Sequence, residues 1–143
     1  MTVDRNVGPD ALTHRLIICT TCRREDSPAD GASDGGRLYD MAEALFDATL
    51  DRRGCVLIGV ECMSGCNRSC TVGLAGPGKP SYLFGDLPPN EEAAADAVAL
   101  VEQYCGNADG LLERRSRPPS FRRGILAKIP AAFANVDPKI GES

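Results

Sequence analysis

Histidine is almost missing from this sequence: its 143 residues hold one, His14. A Rieske-type centre, which needs two histidines, is therefore excluded. No apolar run approaches the roughly 20 residues needed to span a bilayer. Met1 to His14 is polar and lacks the apolar core of a signal segment. Neither membrane association nor secretion is expected, and the expected location is cytoplasmic. In that compartment cysteines stay reduced, and an odd count of seven suits a disulfide framework poorly. No phosphate loop, positioned base or activated nucleophile is visible, so the chain is expected to do no substrate chemistry of its own.

Positive charge is scarce over most of the chain. Residues 1–110 hold 9 Lys+Arg against 17 Asp+Glu, a balance of −8, whereas residues 111–143 hold 7 against 3, a balance of +4. An acidic body argues against a nucleic-acid partner, because phosphate binding needs a basic face. The basic end could dock an acidic partner or lie back on its own domain. Length and composition fit one modest soluble domain with a tail. The expected division is a disordered leader over 1–14, a core domain over 15–110 and a basic extension over 111–143. A homodimer is left open.

Cysteine, by contrast, is concentrated. Cys19 and Cys22 close the apolar run Leu16-Ile17-Ile18, and Cys62, Cys66 and Cys70 follow one another at intervals of four residues. Arg15 to Cys19 is expected as a first strand, and Arg23 to Gly36 as a long polar loop. Leu38, Met41, Ala42, Leu45, Phe46 and Thr49 form one helical stripe within Arg37 to about Arg53, with Gly54 as its stop. Cys55 to Val60 is nearly continuous apolar sequence, as in a strand buried on both faces. Strand, helix and strand make a βαβ unit with parallel strands. Both cysteine loops then leave the same edge of one sheet.

Thr71 to Ala75 and Ser81 to Gly85 are expected as a hairpin around Gly76-Pro77-Gly78-Lys79-Pro80. Asn90 caps a final helix running to about Tyr104, with Ala94, Ala97, Val98 and Val101 on its apolar face. The fold class is thus α/β, a thioredoxin-like β-α-β-β-β-α sandwich with a basic C-terminal tail. Of the two hairpin aromatics, Tyr82 and Phe84, one is expected under the sheet and the other over the cysteine loop.

Four thiolates complete the ligand set of a [2Fe–2S] cluster or of tetrahedral zinc, and Cys-x2-Cys plus Cys-x3-Cys supplies four. Spacing alone does not choose between them. Gly65 is expected to let backbone N–H groups approach sulfur. The radical-SAM spacing fails, since Ser69 stands where its third cysteine belongs. A thioredoxin-type redox pair should open a helix, yet Cys22 runs into a charged loop, so thiol–disulfide exchange is a minor reading. Cys55 and Cys105 stand alone in sequence and are expected as small buried apolar residues. His14 is expected to be exposed rather than a zinc ligand. Arg23 and Arg68, one after each loop, are either surface charge or a counter-charge to the centre and a contact for an acidic redox partner.

Cys19-Thr-Thr-Cys22-Arg23, Cys62-x3-Cys66-x-Arg68-x-Cys70-Thr-Val and Pro77-Gly-Lys-Pro-Ser-Tyr-Leu-Phe-Gly-Asp-Leu87 resemble a bacterial family described only as predicted metal-binding proteins. Members are often encoded beside cobalamin-synthesis genes. The element order with a Cys-x3-Cys loop before the hairpin also resembles thioredoxin-like [2Fe–2S] ferredoxins. That resemblance implies Cys19, Cys22, Cys62 and Cys66 as ligands and a one-electron carrier serving a redox partner protein. Two departures from it stand out. The first two ligands are closer together than is usual there, and Cys70 is an extra thiol that could replace Cys22.

Overall fold

The computed structural model describes residues 14–24, 31–49 and 55–131. The expected leader before His14, the middle of the polar loop, the Gly54 stop and the end of the tail lie outside the described residues. The elements are β1 (His14–Cys19), α1 (Asp34–Thr49), β2 (Cys55–Val60), β3 (Val72–Ala75), β4 (Ser81–Phe84), α2 (Glu91–Gly106) and β5 (Ile125–Ile129). They form one sheet in the order β2-β1-β3-β4-β5, with β1 and β2 parallel and every other pair antiparallel. The expected βαβ unit, hairpin and final helix are all present.

Both helices pack against each other and against β1 on one face of the sheet. Beneath them Leu16 and Ile18 align with Leu74 and Val72, which in turn face Tyr82 and Phe84. All six are buried, together with Leu38, Ala42 and Phe46 of α1 and the Ala94, Ala97, Val98 and Val101 stripe of α2. The α1 stripe is the one read from sequence, but the helix begins three residues earlier. Ser33 Oγ accepts the Gly36 amide at 2.9 Å, an N-cap that supplies a partner for an otherwise orphaned donor. In α2, Asn90 Oδ1 accepts the Ala93 amide at 2.8 Å, as expected.

Four expectations change. Among the described residues β2 has a single neighbour, β1, so it is an edge strand; Val56, Leu57 and Ile58 are half-buried. β3 returns along the other side of β1, which leaves the apolar β2 outermost. Tyr82 and Phe84 lie on one face, both buried with rings stacked at 5.9 Å, because residues two apart on a strand point the same way. Cys55 and Cys105 do not stand alone: β2's first residue and the end of α2 meet in a disulfide at the pole opposite the cysteine loops. His14 is half-buried, edge-on to Tyr104 at 5.7 Å, and sits at the far end of β1 from Cys19.

The basic segment after α2 extends the sheet through β5, which pairs with β4. It also inserts Phe121, fully buried, against the Phe84 ring at 5.1 Å. Lys79 and the two tyrosines tie the same region together. Lys79 Nζ donates to the Tyr104 carbonyl at 2.7 Å, capping the negative end of α2. Tyr82 Oη donates to Gly110 O and accepts the Leu112 amide, each at 3.1 Å. Replacing a buried Phe with Ala typically costs about 3–5 kcal/mol. Phe121→Ala is therefore expected to lower stability by that much in chemical denaturation. A change below about 0.5 kcal/mol, the surface norm, would show that the segment is a detachable tail.

Candidate metal centre

The parallel register sets Cys19 opposite Val60, so β1 and β2 end together. Their loops are stitched at once: the Thr20 amide donates to Val60 O at 2.7 Å and the Thr21 hydroxyl to Glu61 O. β3 runs back on the other side of β1, with the Cys19 amide donating to Thr71 O at 3.2 Å. Three segments thus bring all five thiols to one edge. Cys19, Cys22 and Cys70 are buried, whereas Cys62 and Cys66 are exposed.

The sulfurs form two pairs with a link between them. Cys19 and Cys22 share a hydrogen bond, as do Cys62 and Cys66, and Cys66 lies within electrostatic reach of Cys19. Cys70 lies behind the first pair, within electrostatic reach of Cys22 and Cys19. Of the cysteines expected as ligands, Cys19 and Cys22 are neighbours, as are Cys62 and Cys66. Among the described residues no three His, Cys, Asp or Glu side chains form a ready-made metal cage.

Backbone donors point at these sulfurs. The Ser64 amide donates to Cys62 Sγ at 3.3 Å, and the Met63 and Thr71 amides act on Cys19 and Cys22. Thr71 Oγ1 shares a further hydrogen bond with Cys22 Sγ at 3.6 Å. Soft thiols with N–H groups aimed at them suit an iron–sulfur cluster or thiolate-bound zinc, so the residues fit the group. Gly65 has a different reason from the one expected. It is buried, and a Cβ there would stand 2.6 Å from the Thr71 methyl group.

The thiols differ in proton affinity. Burial raises Cys19, but hydrogen bonds from Cys22, Thr21 and Met63 outweigh it and leave the thiol below its ordinary value. Burial, then the hydrogen bond to Cys19, raises Cys22. Cys70 is pushed up to about 12 by burial first, then by the nearby Cys22 and Asp34 charges. The Arg24 guanidinium opposes that rise and is hydrogen-bonded to Ser69 O at 3.5 Å. Arg24, rather than either arginine singled out in sequence, is the cation acting on Cys70. Arg68 instead grips Asp86 through Nε at 2.9 and 3.0 Å, which holds the Asp86 carboxyl below its usual range. Arg23 donates to Gly31 O at 2.7 Å.

Sequence reasoning also missed what supports the first loop. The Gly35 amide in the first turn of α1 donates to Cys22 O at 2.9 Å. A Cβ on Gly35 would collide with the Cys19 carbonyl and stand 3.1 Å from the Cys22 nitrogen. Asp34, buried, accepts the Arg24 amide at 2.6 Å and pairs with Arg37. The Ser33-Asp34-Gly35-Gly36 run carried this signal, since a cap and an acid precede the glycines.

The profile of a family described as a protein of unknown function, DUF1636, matches residues 16–131. The chain belongs to that family. No curated protein matches it. Among solved structures it is similar to a thioredoxin-like [2Fe–2S] ferredoxin from Aquifex aeolicus, with a TM-score of 0.51 and 15% identity over 85% of this chain and 97% of that one. A crystal structure of the wild-type thioredoxin-like [2Fe–2S] ferredoxin from the same organism gives 0.49 and 14% over 80% and 97%. At 15% identity the first match shows the fold alone: this DUF1636 chain has a thioredoxin-like α/β fold. No helix among its described residues is long and apolar enough to cross a membrane.

Two outcomes are expected of the metal-free protein. Gly35→Ala should destabilise it by about 1–3 kcal/mol through forced backbone displacement, and should speed alkylation of Cys22. Unchanged stability and labelling would separate the α1 start from the thiol loop. Iodoacetamide at pH 8 should label Cys62 and Cys66 first and Cys70 last, read by peptide mass spectrometry. Because the fold holds the Cys70 proton tightly, that group's contribution to stability is intact below the ordinary thiol value of 9.0 and fades as pH climbs towards about 12. Labelling of Cys70 as fast as Cys62 would contradict its placement.

Proposed function

We propose that the chain is a [2Fe–2S] cluster-binding protein that carries single electrons to a partner enzyme, with Cys19, Cys22, Cys62 and Cys66 as ligands. The observation that carries this reading is the convergence of the Cys-x2-Cys and Cys-x3-Cys loops at one sheet edge of a ferredoxin-like fold. The resemblance to metal-binding proteins encoded beside cobalamin-synthesis genes extends it to a partner in cobalamin-related metabolism. A bound cluster would accept and release one electron without breaking a bond in the protein.

The chain's own residues divide the work. Buried Cys19 and Cys22 anchor the inner side and keep water from it. Exposed Cys62 and Cys66 form the side an electron partner reaches, and the Ser64, Met63 and Thr71 amides offset thiolate charge. Cys70, neutral and fully buried behind Cys22, is the reserve thiol.

Thiol–disulfide exchange is the second reading. It is favoured by one observation, a lowered Cys19 beside a raised, buried Cys22. Against it, residues 22–24 are irregular, so the pair does not itself open a helix. Anaerobic purification followed by absorption, iron, zinc and acid-labile sulfide assays decides. About two irons and two sulfides per chain, with bands bleached by dithionite, are expected. Stoichiometric zinc in a colourless protein would sink electron transfer, and a metal-free protein cycling a Cys19–Cys22 disulfide would promote the second reading. Cys70→Ser should keep the full spectrum and Cys22→Ser lose it; the reverse would exchange their roles.

A further inference from the structure

The segment 113–123 carries five arginines and one glutamate in eleven positions. Folded, Arg114, Arg115, Arg122 and Arg123 line one cavity of about 1040 Å³ with Glu113, Pro119 and Ser120. Among the described residues no carboxylate pairs with any of these four guanidiniums. Two of them are pre-set. Arg114 Nε donates to Arg122 O at 3.1 Å, and Arg122 Nε donates to Arg117 O at 3.0 Å. Holding Nε this way leaves the terminal amino groups as forks, the geometry that takes carboxylates end-on. The backbone beneath is itself held, because Asp96 accepts both the Ser120 amide and hydroxyl, at 3.0 and 2.6 Å. Arg117, buried and stacked on Phe84 at 5.6 Å, adds a further fixed positive charge underneath.

This lining is unlike that of a small-molecule pocket. Such pockets run to about 300–1,000 Å³ and are mainly apolar and aromatic, whereas here Pro119 is the one apolar residue in the wall. Nor does the acidic remainder of the chain suit a nucleic acid. Backbone hydrogen bonds link the segment that carries the cavity to a thiol loop: Gly124 O, next to Arg123, accepts the Gly85 amide at 2.8 Å, and the neighbouring Asp86 amide donates to Arg68 O at 2.6 Å, in the turn that begins with Cys66.

We propose that this arginine-lined cavity is the docking site for an acidic, carboxylate-rich segment of a partner protein, holding that partner beside the thiol edge. That the partner exchanges electrons rests on the function proposed above; the docking itself does not. An acidic body with one basic face repels an acidic partner everywhere else, so encounter is steered to this face.

The test uses the full-length protein and a dye-labelled peptide of about a dozen Glu and Asp residues, followed by fluorescence anisotropy at low salt and at about 0.15 M. Arg114→Ala with Arg122→Ala should weaken binding at least about tenfold. Arg115→Ala with Arg123→Ala removes two side chains that hold no hydrogen bond among the described residues, and should weaken it comparably without loss of structure. Arg15→Ala with Lys128→Ala makes the same change in net charge elsewhere and should leave binding within about twofold. Equal loss in that control, or no loss in either arginine pair, would overturn the proposal. Displacement of the peptide by inorganic tripolyphosphate at far lower concentration would overturn it in favour of a phosphate compound. Iron and sulfide assays on the same samples keep the two ideas apart: site-specific peptide binding by a protein without iron supports the docking site and removes the electron carrier.

Discussion

The centre depends on the register of two parallel strands. Because β1 and β2 run the same way, with Cys19 opposite Val60, two loops separated by some forty residues open side by side. A parallel pair needs a crossover, and α1 supplies it. The crossover helix in turn is seated on the first loop, where its Gly35 amide meets the Cys22 carbonyl. A one-residue slip would turn Leu16 and Ile18 out of the core and carry Cys19 to the other face. Burial of those side chains therefore fixes the sulfur positions as firmly as it fixes the sheet.

Much of this was legible in residue order. The apolar stripe of α1 and the Asn90 cap are local signals, and the βαβ handedness follows from a general rule, so the meeting of the two loops could be read without coordinates. What stayed hidden was long-range. Nothing local in Cys55-Val-Leu-Ile-Gly-Val60 says whether a neighbour lies on one side or two, and β3 chose the far side of β1. The Cys55–Cys105 meeting joins residues fifty apart across the helix layer. Tyr82 and Phe84 were misread although legible, since strand alternation puts both on one face. Arg24 outranks Arg23 at Cys70 because of where the loop turns, which charge patterning does not record.

Burial divides the five thiols into an inner set and an outer set. A charge in the inner set is costly unless N–H groups or a cation compensate it. Cys19 has such donors and gives up its proton more readily than an ordinary thiol, whereas Cys70 has few and holds its proton. One chemical group thus serves as ligand candidate and as neutral packing within the same small volume. The outer pair, Cys62 and Cys66, keeps contact with solvent.

Residues 111–131 of the C-terminal segment are bound into this arrangement. Phe121 fills the core against Phe84, β5 completes the sheet, and Gly124, at φ +77°, brings its carbonyl onto the Gly85 amide. A side chain at Gly124 would meet both a left-handed backbone and the Gly85 carbonyl, so this approach requires glycine. The Pro77-Gly-Lys-Pro-Ser-Tyr82 motif serves the same end, since Lys79 caps α2 and Tyr82 binds the chain at Gly110 and Leu112. Positive charge that sequence alone assigns to a tail is thereby fixed in place. Charges on a floating tail average over orientations, whereas charges held by packing give the molecule a permanent electrostatic axis. That axis has its positive end at the arginine segment, which packing holds against the turn that carries Cys66 and Arg68.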